Sequence, residues 1–434
     1  MKKILLACCS AALSLAAAAQ SGYVPASENI AARQQFADDR FGIFLHWGLY
    51  SLLGQGEWVM TNQDIDFREY CKLAGAFAAP AFNAREWVTA IRQAGARYVC
   101  FTTRHHDGFS LFDTAQSDYN VVDASPLGRD VVRELADECR RQGLGIHFYY
   151  SLIDWWREDA PRGRTGRGTG RDPRKEDADA YFDFMKAQLT ELLTQYGPVG
   201  AIWFDGVWDQ DQNPGFDWRL DELYGLIHRL QPACLVINNH HLAPFEGEDA
   251  QTFERDLPGE NSAGLSGQEV SRLPLETCQT MNHSWGYRIT DCDYKPVDEL
   301  VRYLVGAAGR GGNLLLNIGP QPDGRLPEAA LERLAGIGEW LERHGETIYG
   351  TQAGPVTPRA WGVTTRRGDK VYLHILDWPD TELFVPLQGL RVRQATACDS
   401  GERLDFRQND DGVVIRLGER TATPDHIVVL TIRQ

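Results

Sequence analysis

The stretch YFDFMKAQLTELLTQYGPVGAIWFD, residues 181–205, contains a helix, a stop signal and a strand in that order. Apolar residues recur at helical spacing from Tyr181 to Tyr196, and Gly197-Pro198 does not continue a helix. The next segment, Ala201 to Asp205, has the length and apolar composition of a buried strand and ends in a carboxylate. The stretch therefore predicts a helix–strand unit whose strand presents a polar group at its carboxyl end.

The same unit recurs along the chain. Further helices are predicted over Asn83–Gly95, Asp130–Arg141, Trp218–Leu230 and Val297–Ala308. The predicted strands are 41–47, 97–101, 146–150, 201–205, 235–238, 276–281 and 313–317. Strands that alternate with helices over roughly 300 residues indicate a parallel sheet. Their number and length favour an irregular (β/α)₈ barrel, with one or two helices missing or short.

The pattern changes after Gly350, where helical periodicity is absent. Short β-strands are predicted over residues 370–376, 381–387, 390–397, 412–417 and 426–432. We therefore expect a (β/α)₈-like domain over residues 20–351 and a small C-terminal antiparallel β-sandwich over residues 352–434.

The chain of 434 residues carries a formal net charge of −16. Nucleic acids and anionic membrane surfaces bind proteins through clustered Lys and Arg, so the negative charge argues against both as partners. The one basic run, Arg157 to Lys175, is interrupted by Gly, Pro and Asp and is interpreted as a solvated loop. Beyond the amino terminus, no stretch reaches the roughly 18 unbroken apolar residues of a membrane-spanning segment.

The first residues, MKKILLACCSAALSLAAAAQ, have a basic start, an apolar middle and a small-residue end. This pattern predicts a signal peptide over residues 1–19 and a periplasmic or secreted protein. Leu5-Leu6-Ala7-Cys8 also resembles a lipoprotein cleavage box, but the apolar run before Cys8 is very short, so simple export is favoured. Seven cysteines lie beyond the leader, an odd number without a CxxC pair, so a disulfide framework or structural zinc site is not expected. One or two individual bridges are left open.

Polar side chains stand at the carboxyl ends of successive predicted strands, where a barrel has its active site. Trp203 and Asp205 lie two residues apart on one strand, so both side chains are expected to point into the mouth of the barrel. The alternative is that Asp205 only caps the turn at Gly206.

Two histidines, His105 and His106, follow another predicted strand. They could bind zinc together with Asp205, or they could donate hydrogen bonds to sugar hydroxyls. Adjacent residues on a regular strand face opposite ways, which is poor geometry for a dedicated metal site, and no HExxH pattern occurs. This geometry therefore does not favour a dedicated metal site.

Seven motifs in series carry a resemblance to a known family. They are FGIFLHWG from Phe41 with the following Gly56-Glu57-Trp58, TTRHHDGF from Thr102, FYYSLIDW from Phe148, AIWFDG from Ala201, QTFERDLPG from Gln251, NHSWGY from Asn282 and GGNLLLNIGP from Gly311. Their order and spacing resemble those of glycoside hydrolase family 29, the α-L-fucosidases. The resemblance implies an irregular (β/α)₈ catalytic domain followed by a β-sandwich. It also implies a retaining exo-α-L-fucosidase, without a metal ion or an organic cofactor, that releases terminal L-fucose from oligosaccharides or glycoconjugates through a covalent fucosyl-enzyme.

The same resemblance implies roles for individual residues. Asp205 is expected to be the nucleophile and Glu254 the acid/base, with Glu276 as the alternative for the second role. Tyr150 resembles the tyrosine near the nucleophile, although its neighbour Tyr149 leaves that assignment open by one position. The other residues expected to hold the sugar are His46, Glu57, Trp58, His105, His106, Trp203 and Trp285, the last of which resembles the aromatic that packs on the C6 methyl group.

One position departs from the family pattern. Many members carry an arginine just after the Asn that follows the fifth strand, whereas this sequence reads Asn238-Asn239-His240-His241. The contact of that arginine with the sugar is therefore in doubt, and a histidine is a candidate substitute.

Three alternatives to this interpretation are left open. The chain could be a catalytically silent fucose-binding protein, or it could be an α-L-galactosidase. Trp285 argues against the galactosidase, because a C6 hydroxyl would lack a hydrogen-bond partner beside an apolar ring. The C-terminal sandwich, expected to be a structural lid, could instead bind carbohydrate.

Overall fold

The computed structural model describes residues 22–378, 380–418 and 423–433. The expected signal peptide, residues 1–19, lies outside these described ranges. The described chain contains an eight-stranded parallel sheet followed by two smaller antiparallel sheets. The predicted fold class, an irregular (β/α)₈ barrel with a C-terminal β-sandwich, is thus confirmed.

The eight parallel strands lie in the spatial order β5-β4-β3-β2-β1-β8-β7-β6. They are β1 Phe41–Leu45, β2 Tyr98–Arg104, β3 Gly145–Ser151, β4 Ala201–Asp205, β5 Leu235–Asn239, β6 Gln251–Glu254, β7 Leu275–Thr280 and β8 Gly312–Ile318. The two ends of the sheet, β5 and β6, are joined by an isolated parallel bridge between Ile237 and Ala250 and by a side-chain hydrogen bond from Asn239 to Glu254. The barrel is therefore nearly closed, and its weakest seam lies between these two strands.

Ten α-helices accompany the sheets in the described chain. They are α1 Ser27–Asp39, α2 Tyr50–Leu53, α3 Val59–Asn62, α4 Phe67–Tyr70, α5 Ala84–Gln93, α6 Val131–Gln142, α7 Ala178–Gln195, α8 Leu220–Leu230, α9 Val297–Gly309 and α10 Glu328–His344. Neither the segment between β5 and β6 nor that between β6 and β7, both fully described, contains a helix. The prediction that one or two barrel helices are missing is confirmed, whereas α1, α10 and strand β6 were not anticipated.

Three of the outer helices, α5, α6 and α7, begin where a short polar side chain satisfies the free backbone N–H groups of the first turn. Asn83 accepts hydrogen bonds from the backbone of Arg85 and Glu86 at the start of α5. Asp130 and Asp177 cap α6 and α7 in the same way. These caps, together with the apolar face of each helix, determine where these three helix–strand units start.

Helix α1 closes the amino-terminal end of the barrel. Phe36 packs inside the barrel core with Phe44, Tyr98 and Trp203. The side-chain amide of Asn313 donates a 2.7 Å hydrogen bond to the carbonyl of Phe36. The cavity inside the barrel can therefore open only at the carboxyl ends of the strands.

The C-terminal part consists of a five-stranded and a three-stranded antiparallel sheet around a separate apolar core. Its strands are β9 Gln352–Ala353, β10 Gly362–Arg367, β11 Lys370–Ile375, β12 Glu382–Pro386, β13 Val392–Ala397, β14 Phe406–Gln408, β15 Gly412–Arg416 and β16 His426–Ile432. The sandwich is attached to the barrel by apolar and polar contacts. Val363, Tyr372 and Ile427 of its strands belong to the large apolar core of the barrel. His344 of α10 pairs with Asp399 at 2.7 Å, and the Thr365 hydroxyl donates to the Thr347 carbonyl at 2.7 Å.

The basic run from Arg157 to Lys175 is a loop, as interpreted, but it is only partly solvated. Its exposed basic residues are Arg164, Arg167, Arg174 and Lys175. The Arg171 guanidinium, in contrast, is buried and donates to the carbonyls of Arg157 and Ala160, both at 2.9 Å. The backbone N–H of Phe67 donates to the carbonyl of Thr169, which is itself buried. Composition alone does not reveal which part of the loop packs on the barrel.

All seven cysteines beyond the leader are free thiols, and four of them, Cys100, Cys139, Cys234 and Cys278, are buried. Within the described ranges, every helix is too short or too polar to cross a bilayer.

Candidate active site

A cavity of about 190 Å³ opens at the carboxyl ends of the barrel strands. It brings together nine of the eleven residues singled out in the sequence, namely His46, Glu57, Trp58, His105, His106, Trp203, Asp205, Glu254 and Trp285. Tyr150 and Glu276 do not line it. A larger groove of about 850 Å³ lies at the opposite end of the barrel, between α5, α6 and α10, away from these residues.

The carboxylate of Asp205 is held by a donor on each oxygen. The Tyr149 hydroxyl donates to Oδ2 at 3.0 Å, and the indole N–H of Trp208 donates to Oδ1 at 2.9 Å. Nε2 of His106 lies 3.5 Å from Oδ2. Since each carboxylate oxygen can accept more than one hydrogen bond, Asp205 keeps free lone pairs while its orientation is set.

The surroundings raise the pKa of Asp205 from its ordinary 3.8 to about 7. Burial is the main cause, because it disfavours the charged form, and the negative charge of Glu254 adds to it. The hydrogen bonds from Trp208 and Tyr149 act in the opposite direction. Asp205 and Glu254 are therefore close enough for their charges to interact within one cavity.

The tyrosine beside the nucleophile candidate is Tyr149, and the assignment of Tyr150 is corrected. Tyr149 is paired in register with Trp203 on β4, and both side chains point into the barrel. Tyr150 points to the outside, where its hydroxyl donates to Oε1 of Gln188 on α7 at 2.9 Å. Because successive strand residues face opposite sides, an error of one position moves the hydroxyl out of the site altogether.

Glu254 ends β6 and lines the same cavity. Its Oε2 accepts a 2.9 Å hydrogen bond from the side-chain amide of Asn239, and Nε2 of His241 lies 3.6 Å away. His241 and Arg255, which flank this contact, both have positive φ angles, of 63° and 62°. Non-glycine residues in this conformation store strain and cluster at functional sites, so this part of the chain is under an unusual constraint.

Glu276, the alternative acid/base, is corrected by its position. It is fully buried in the barrel, where it accepts hydrogen bonds from the Tyr98 hydroxyl at 2.6 Å and from the Trp203 indole N–H at 2.9 Å. Burial raises the pKa of this carboxyl to about 7, against the effect of those two hydrogen bonds. The buried carboxyl group of Glu276 thus holds the Trp203 indole in place and does not line the cavity.

The histidines of the site are buried and kept neutral. Burial lowers the pKa of His46 and of His106 to about 3. Nδ1 of His46 lies 2.7 Å from Oδ1 of Asn317, whose amide N–H₂ donates to the Trp285 carbonyl, so that Oδ1 is left to accept. The protonated nitrogen of His46 is therefore Nδ1, and Nε2 has a free lone pair.

His106 has the same tautomer for a similar reason. Its Nδ1 lies 2.7 Å from Oγ of Ser151, and that hydroxyl donates its own proton to the Ile153 carbonyl. Neutral imidazoles in this arrangement can accept hydrogen bonds from the hydroxyls of a sugar. In the described residues, no three His, Cys, Asp or Glu side chains are grouped so that they could hold a metal ion.

Glu57 and Trp58 form the wall that faces the histidines. Oε2 of Glu57 accepts a 2.7 Å hydrogen bond from the backbone N–H of Gly286, and burial raises the pKa of this carboxyl. Trp58 stacks on Trp208 with ring centroids 5.7 Å apart, and it meets His106 edge-on. The indole that donates to Asp205 is therefore itself held by an aromatic neighbour.

Trp285 provides an apolar surface in the cavity. Its ring lies 6.2 Å from that of Phe44 and 5.4 Å from that of His46, measured between centroids. The Arg255 guanidinium covers the ring at 5.0 Å, which fixes the indole in place.

Comparison with known proteins points to one family. The family model described as α-L-fucosidase matches residues 10–346. The chain is 31% identical to an α-L-fucosidase of Branchiostoma floridae over 407 residues, which cover 85% of this chain and 84% of the relative. It is 30% identical to the human plasma α-L-fucosidase, with 92% and 89% covered.

The chain belongs to the α-L-fucosidase family. The predicted enzyme class, a glycoside hydrolase acting on α-L-fucosides, is confirmed by this membership. Among solved structures, α-L-fucosidase isoenzyme 1 of Paenibacillus thiaminolyticus is 34% identical and superposes with a TM-score of 0.83, covering 94% of this chain and 100% of that one. A family 29 fucosidase of Bacteroides thetaiotaomicron, trapped as a covalent intermediate, is 25% identical with a TM-score of 0.81, covering 93% and 96%.

The position that lacks the family arginine is occupied differently in this fucosidase. His240 turns away from the cavity, stacks on Phe245 and pairs with Glu248 at 3.0 Å, so it does not replace the arginine. His241, one residue further, lines the cavity. A guanidinium does reach the site, but it comes from Arg164 in the loop between β3 and α7.

Sequence reasoning did not assign several residues that line this fucosidase site, among them Arg164, Trp208 and Asn239. Trp208 lies in the 3₁₀ turn Val207–Gln210, directly after β4. An indole N–H three residues beyond a strand-end carboxylate is a usable signal, because the turn at Gly206 folds the chain back over that carboxylate. Nothing in the local sequence marks Arg164, because only its packing brings it to the cavity.

Proposed function

We propose that the cavity hydrolyses terminal α-L-fucosyl linkages by double displacement, with Asp205 as nucleophile and Glu254 as acid/base. The observation that carries this proposal is the pair of carboxylates in one cavity of about 190 Å³, a volume that suits a single sugar residue. The nucleophile candidate is oriented by Tyr149 and Trp208, and retaining glycosidases need such a carboxylate together with a second one.

In the first step, one oxygen of Asp205 attacks C1 of the bound fucose. The bond from C1 to the glycosidic oxygen breaks, and Glu254 transfers its proton to that oxygen, so that the leaving group departs as an alcohol. The product is a fucosyl ester of Asp205. The hydrogen bonds from Tyr149 and Trp208 hold the carboxylate in line before the attack.

In the second step, Glu254 removes a proton from a water molecule that attacks C1, and Asp205 leaves as a carboxylate. Two inversions at C1 give net retention of configuration. The trapped covalent intermediate of the Bacteroides relative supports this sequence of events for the present chain.

The remaining side chains suit a 6-deoxy sugar. His46, His106 and Glu57 present lone pairs to ring hydroxyls, whereas Trp285 and Phe44 present apolar surface. A C6 methyl group gains by contact with that surface, and the extra hydroxyl of L-galactose would lose its hydrogen bonds to water there. This arrangement supports fucose over galactose as the sugar that is released.

The substrates that we propose are fucosylated oligosaccharides and glycoconjugates outside the cytoplasm. Support for the location comes from residues 1–19, whose pattern is that of a signal peptide cleaved for export, with a lipid anchor at Cys8 as the less favoured variant. We also propose the division between residues 351 and 352, which is supported by the separate apolar core of the sandwich.

The experiment that tests the proposal replaces the nucleophile. Asp205→Ala should reduce hydrolysis of 4-nitrophenyl α-L-fucoside by about 10⁴-fold or more, and added azide should restore turnover with β-L-fucosyl azide as the product. Asp179→Ala, which removes a carboxylate that is 92% exposed on α7, is the control and should act like the wild type. Unchanged turnover in the Asp205 variant would reject the assignment.

A further inference from the structure

Arg164 is the one arginine of the basic loop, Arg157 to Lys175, that lines the active-site cavity. Its guanidinium carbon lies 4.9 Å from the ring centroid of Trp208, the residue whose indole donates to Asp205. The side chain of Arg164 is nevertheless 45% exposed, and its nearest carboxylate, Asp211, is 3.8 Å away. That distance is too long for a hydrogen bond, so the contact to Asp211 leaves the donors of Arg164 available.

The backbone around Arg164 is clamped to the turn that carries Trp208. The N–H of Arg164 donates to the carbonyl of Asp209 at 2.9 Å. The N–H and the hydroxyl of Thr165 both donate to Oδ1 of Asp209 at 2.8 Å, and this carboxylate is buried. The backbone of Arg164 is therefore held in place beside the cavity, even though it belongs to a long loop.

Gly163 makes this close approach possible. A Cβ atom at this position would lie 1.9 Å from Oδ2 of Asp209 and 2.4 Å from its carbonyl oxygen. Only a residue without a side chain can bring the backbone this near to the turn. A glycine that interrupts the basic run thus allows this loop to pack on the turn that carries Trp208.

Exposure increases from the floor of the cavity to its mouth, and Arg164 lies at the mouth. Trp203 at the floor is 2% exposed, whereas Leu265 is 37% exposed. Nε2 of His241 lies 3.6 Å from Oε2 of Glu254, and both residues line the cavity together with Arg164. Arg164 therefore shares the cavity with the acid/base candidate.

We propose that Arg164, together with Trp208, forms a subsite for the sugar to which the fucose is attached, and that the guanidinium donates to hydroxyl groups of that leaving-group pyranose. This inference rests on the proposed function. With the fucose C1 at Asp205 and the glycosidic oxygen at Glu254, the leaving group must extend toward the mouth. A planar guanidinium with several donors can bridge two neighbouring hydroxyls, which a single ammonium group does less well.

The subsite can be separated from the catalytic machinery by the choice of substrate. An aryl α-L-fucoside presents no hydroxyls to Arg164, whereas a fucosyl disaccharide does. We would use the regioisomer, out of a panel of α-L-fucosyl disaccharides, that the wild-type protein cleaves with the highest kcat/KM. Arg164→Ala should raise KM for this disaccharide roughly 10- to 100-fold, the range expected for hydrogen bonds to a charged donor, and change kcat little.

The same variant should lower kcat/KM for 4-nitrophenyl α-L-fucoside far less than kcat/KM for the disaccharide, because the aryl group has no hydroxyls for Arg164 to bind and Trp58 still stacks on Trp208. Arg164→Lys should recover only part of the disaccharide affinity. Arg174→Ala is the matched control, since Arg174 lies in the same loop with its side chain 87% exposed. This variant should leave kcat and KM unchanged for both substrates.

Equal losses on both substrates would overturn the proposal, because they would show that Arg164 supports the nucleophile or the bound fucose. An unchanged disaccharide KM in Arg164→Ala would overturn it as well, as would wild-type cleavage of the aryl fucoside without cleavage of any disaccharide. A wild-type protein inactive on every α-L-fucoside would instead reject the proposed function.

Discussion

The hydroxyl of Tyr149 donates a 3.0 Å hydrogen bond to Oδ2 of Asp205. The next residue, Tyr150, has an equally buried hydroxyl on the other side of the same strand, bound to Gln188 at 2.9 Å. Two adjacent tyrosines thus offer a comparison in which the chemical change is the same and only the direction of the side chain differs.

Tyr149→Phe should lower kcat/KM for 4-nitrophenyl α-L-fucoside about 10- to 100-fold, because a hydrogen bond to a charged group contributes about 1.5–3 kcal/mol. Tyr150→Phe should leave kcat/KM within about twofold. It should instead lower the free energy of unfolding by about 1–3 kcal/mol, because Oε1 of Gln188 loses its donor. Similar kinetic losses in both variants would contradict the orientation of β3.

The acid/base assignment predicts a dependence on the leaving group. Glu254→Ala should reduce kcat/KM for a fucosyl disaccharide by about 10²–10⁴-fold, since departure of a sugar alkoxide needs a proton. The loss should be much smaller for a substrate with a dinitrophenyl leaving group. Glu276→Gln is the comparison variant: any loss it causes should be the same for both substrates. The reverse pattern would return the acid/base role to Glu276.

The raised pKa of Asp205 predicts the acid limb of the pH profile. Attack requires the ionised carboxylate, so kcat/KM for an activated fucoside should fall as the pH drops below about 7. The charge of Glu254 is the second cause of this raised pKa, after burial. Glu254→Gln removes that charge and should therefore move the acid limb to lower pH. A limb that stays in place or moves to higher pH would show that the two carboxylates do not interact.

Glu276 should stabilise the fold by accepting hydrogen bonds from two buried donors, the Tyr98 hydroxyl and the Trp203 N–H. Glu276→Leu leaves the Tyr98 hydroxyl and the Trp203 N–H without acceptors, and each such group costs about 1–3 kcal/mol. Glu276→Gln keeps an acceptor for the Trp203 indole and can donate to the Tyr98 oxygen, so it should unfold near the wild-type denaturant midpoint. Equal destabilisation in both variants would argue against this hydrogen-bonding role.

The raised pKa of Glu276 also predicts how the free energy of unfolding changes with pH. Its native pKa, about 7, lies above the ordinary value of 4.5, so the native state holds the proton more tightly than the unfolded chain. The stabilisation of the native state by the raised pKa of Glu276 is fully present below about pH 4.5 and is lost as the pH rises through about 7. Glu276→Gln should therefore make the free energy of unfolding fall less steeply over this range than in the wild type, as measured by denaturant titrations at several pH values.

Trp285 should account for part of the preference for fucose. Trp285→Ala removes apolar surface from the C6 methyl, and burial of one such group is worth about 0.8 kcal/mol. The ratio of kcat/KM for an aryl α-L-fucoside to that for the matching α-L-galactoside should therefore drop by at least about fourfold. An unchanged ratio would place the C6 group elsewhere in the cavity.

Much of the barrel was predictable because each helix–strand unit carries its own local signals. Asn83 and Asp130 cap helices, Gly143 ends one in the left-handed conformation, and the strands that follow are continuous apolar runs. Strand β6 was missed because it has only four residues and no helix beside it. The sandwich strands β9 and β14 were missed because they are shorter still.

The sequence predicted those residues of the candidate site that lie at the carboxyl ends of strands. Asp205 and His106 stand at the ends of apolar strands, so the pattern alone brings them to one mouth. The error at Tyr150 arose because both candidates lie on one strand, and the side that each faces depends on where the barrel interior lies. Glu276 was considered as the alternative acid/base because the sequence does not distinguish a position inside the barrel from one at its mouth.

Local patterns and the order of motifs were enough to predict the barrel, the sandwich and the family, and to nominate Asp205 and Glu254 as candidates, because each motif consists of residues that are neighbours along the chain. Only tertiary packing decided that Trp208 donates to Asp205, that Tyr149 rather than Tyr150 does so, and that a guanidinium reaches the cavity from Arg164. Those contacts join the ends of separate strands and a loop that docks on them. Their geometry is set when the barrel closes and has no counterpart in sequence spacing.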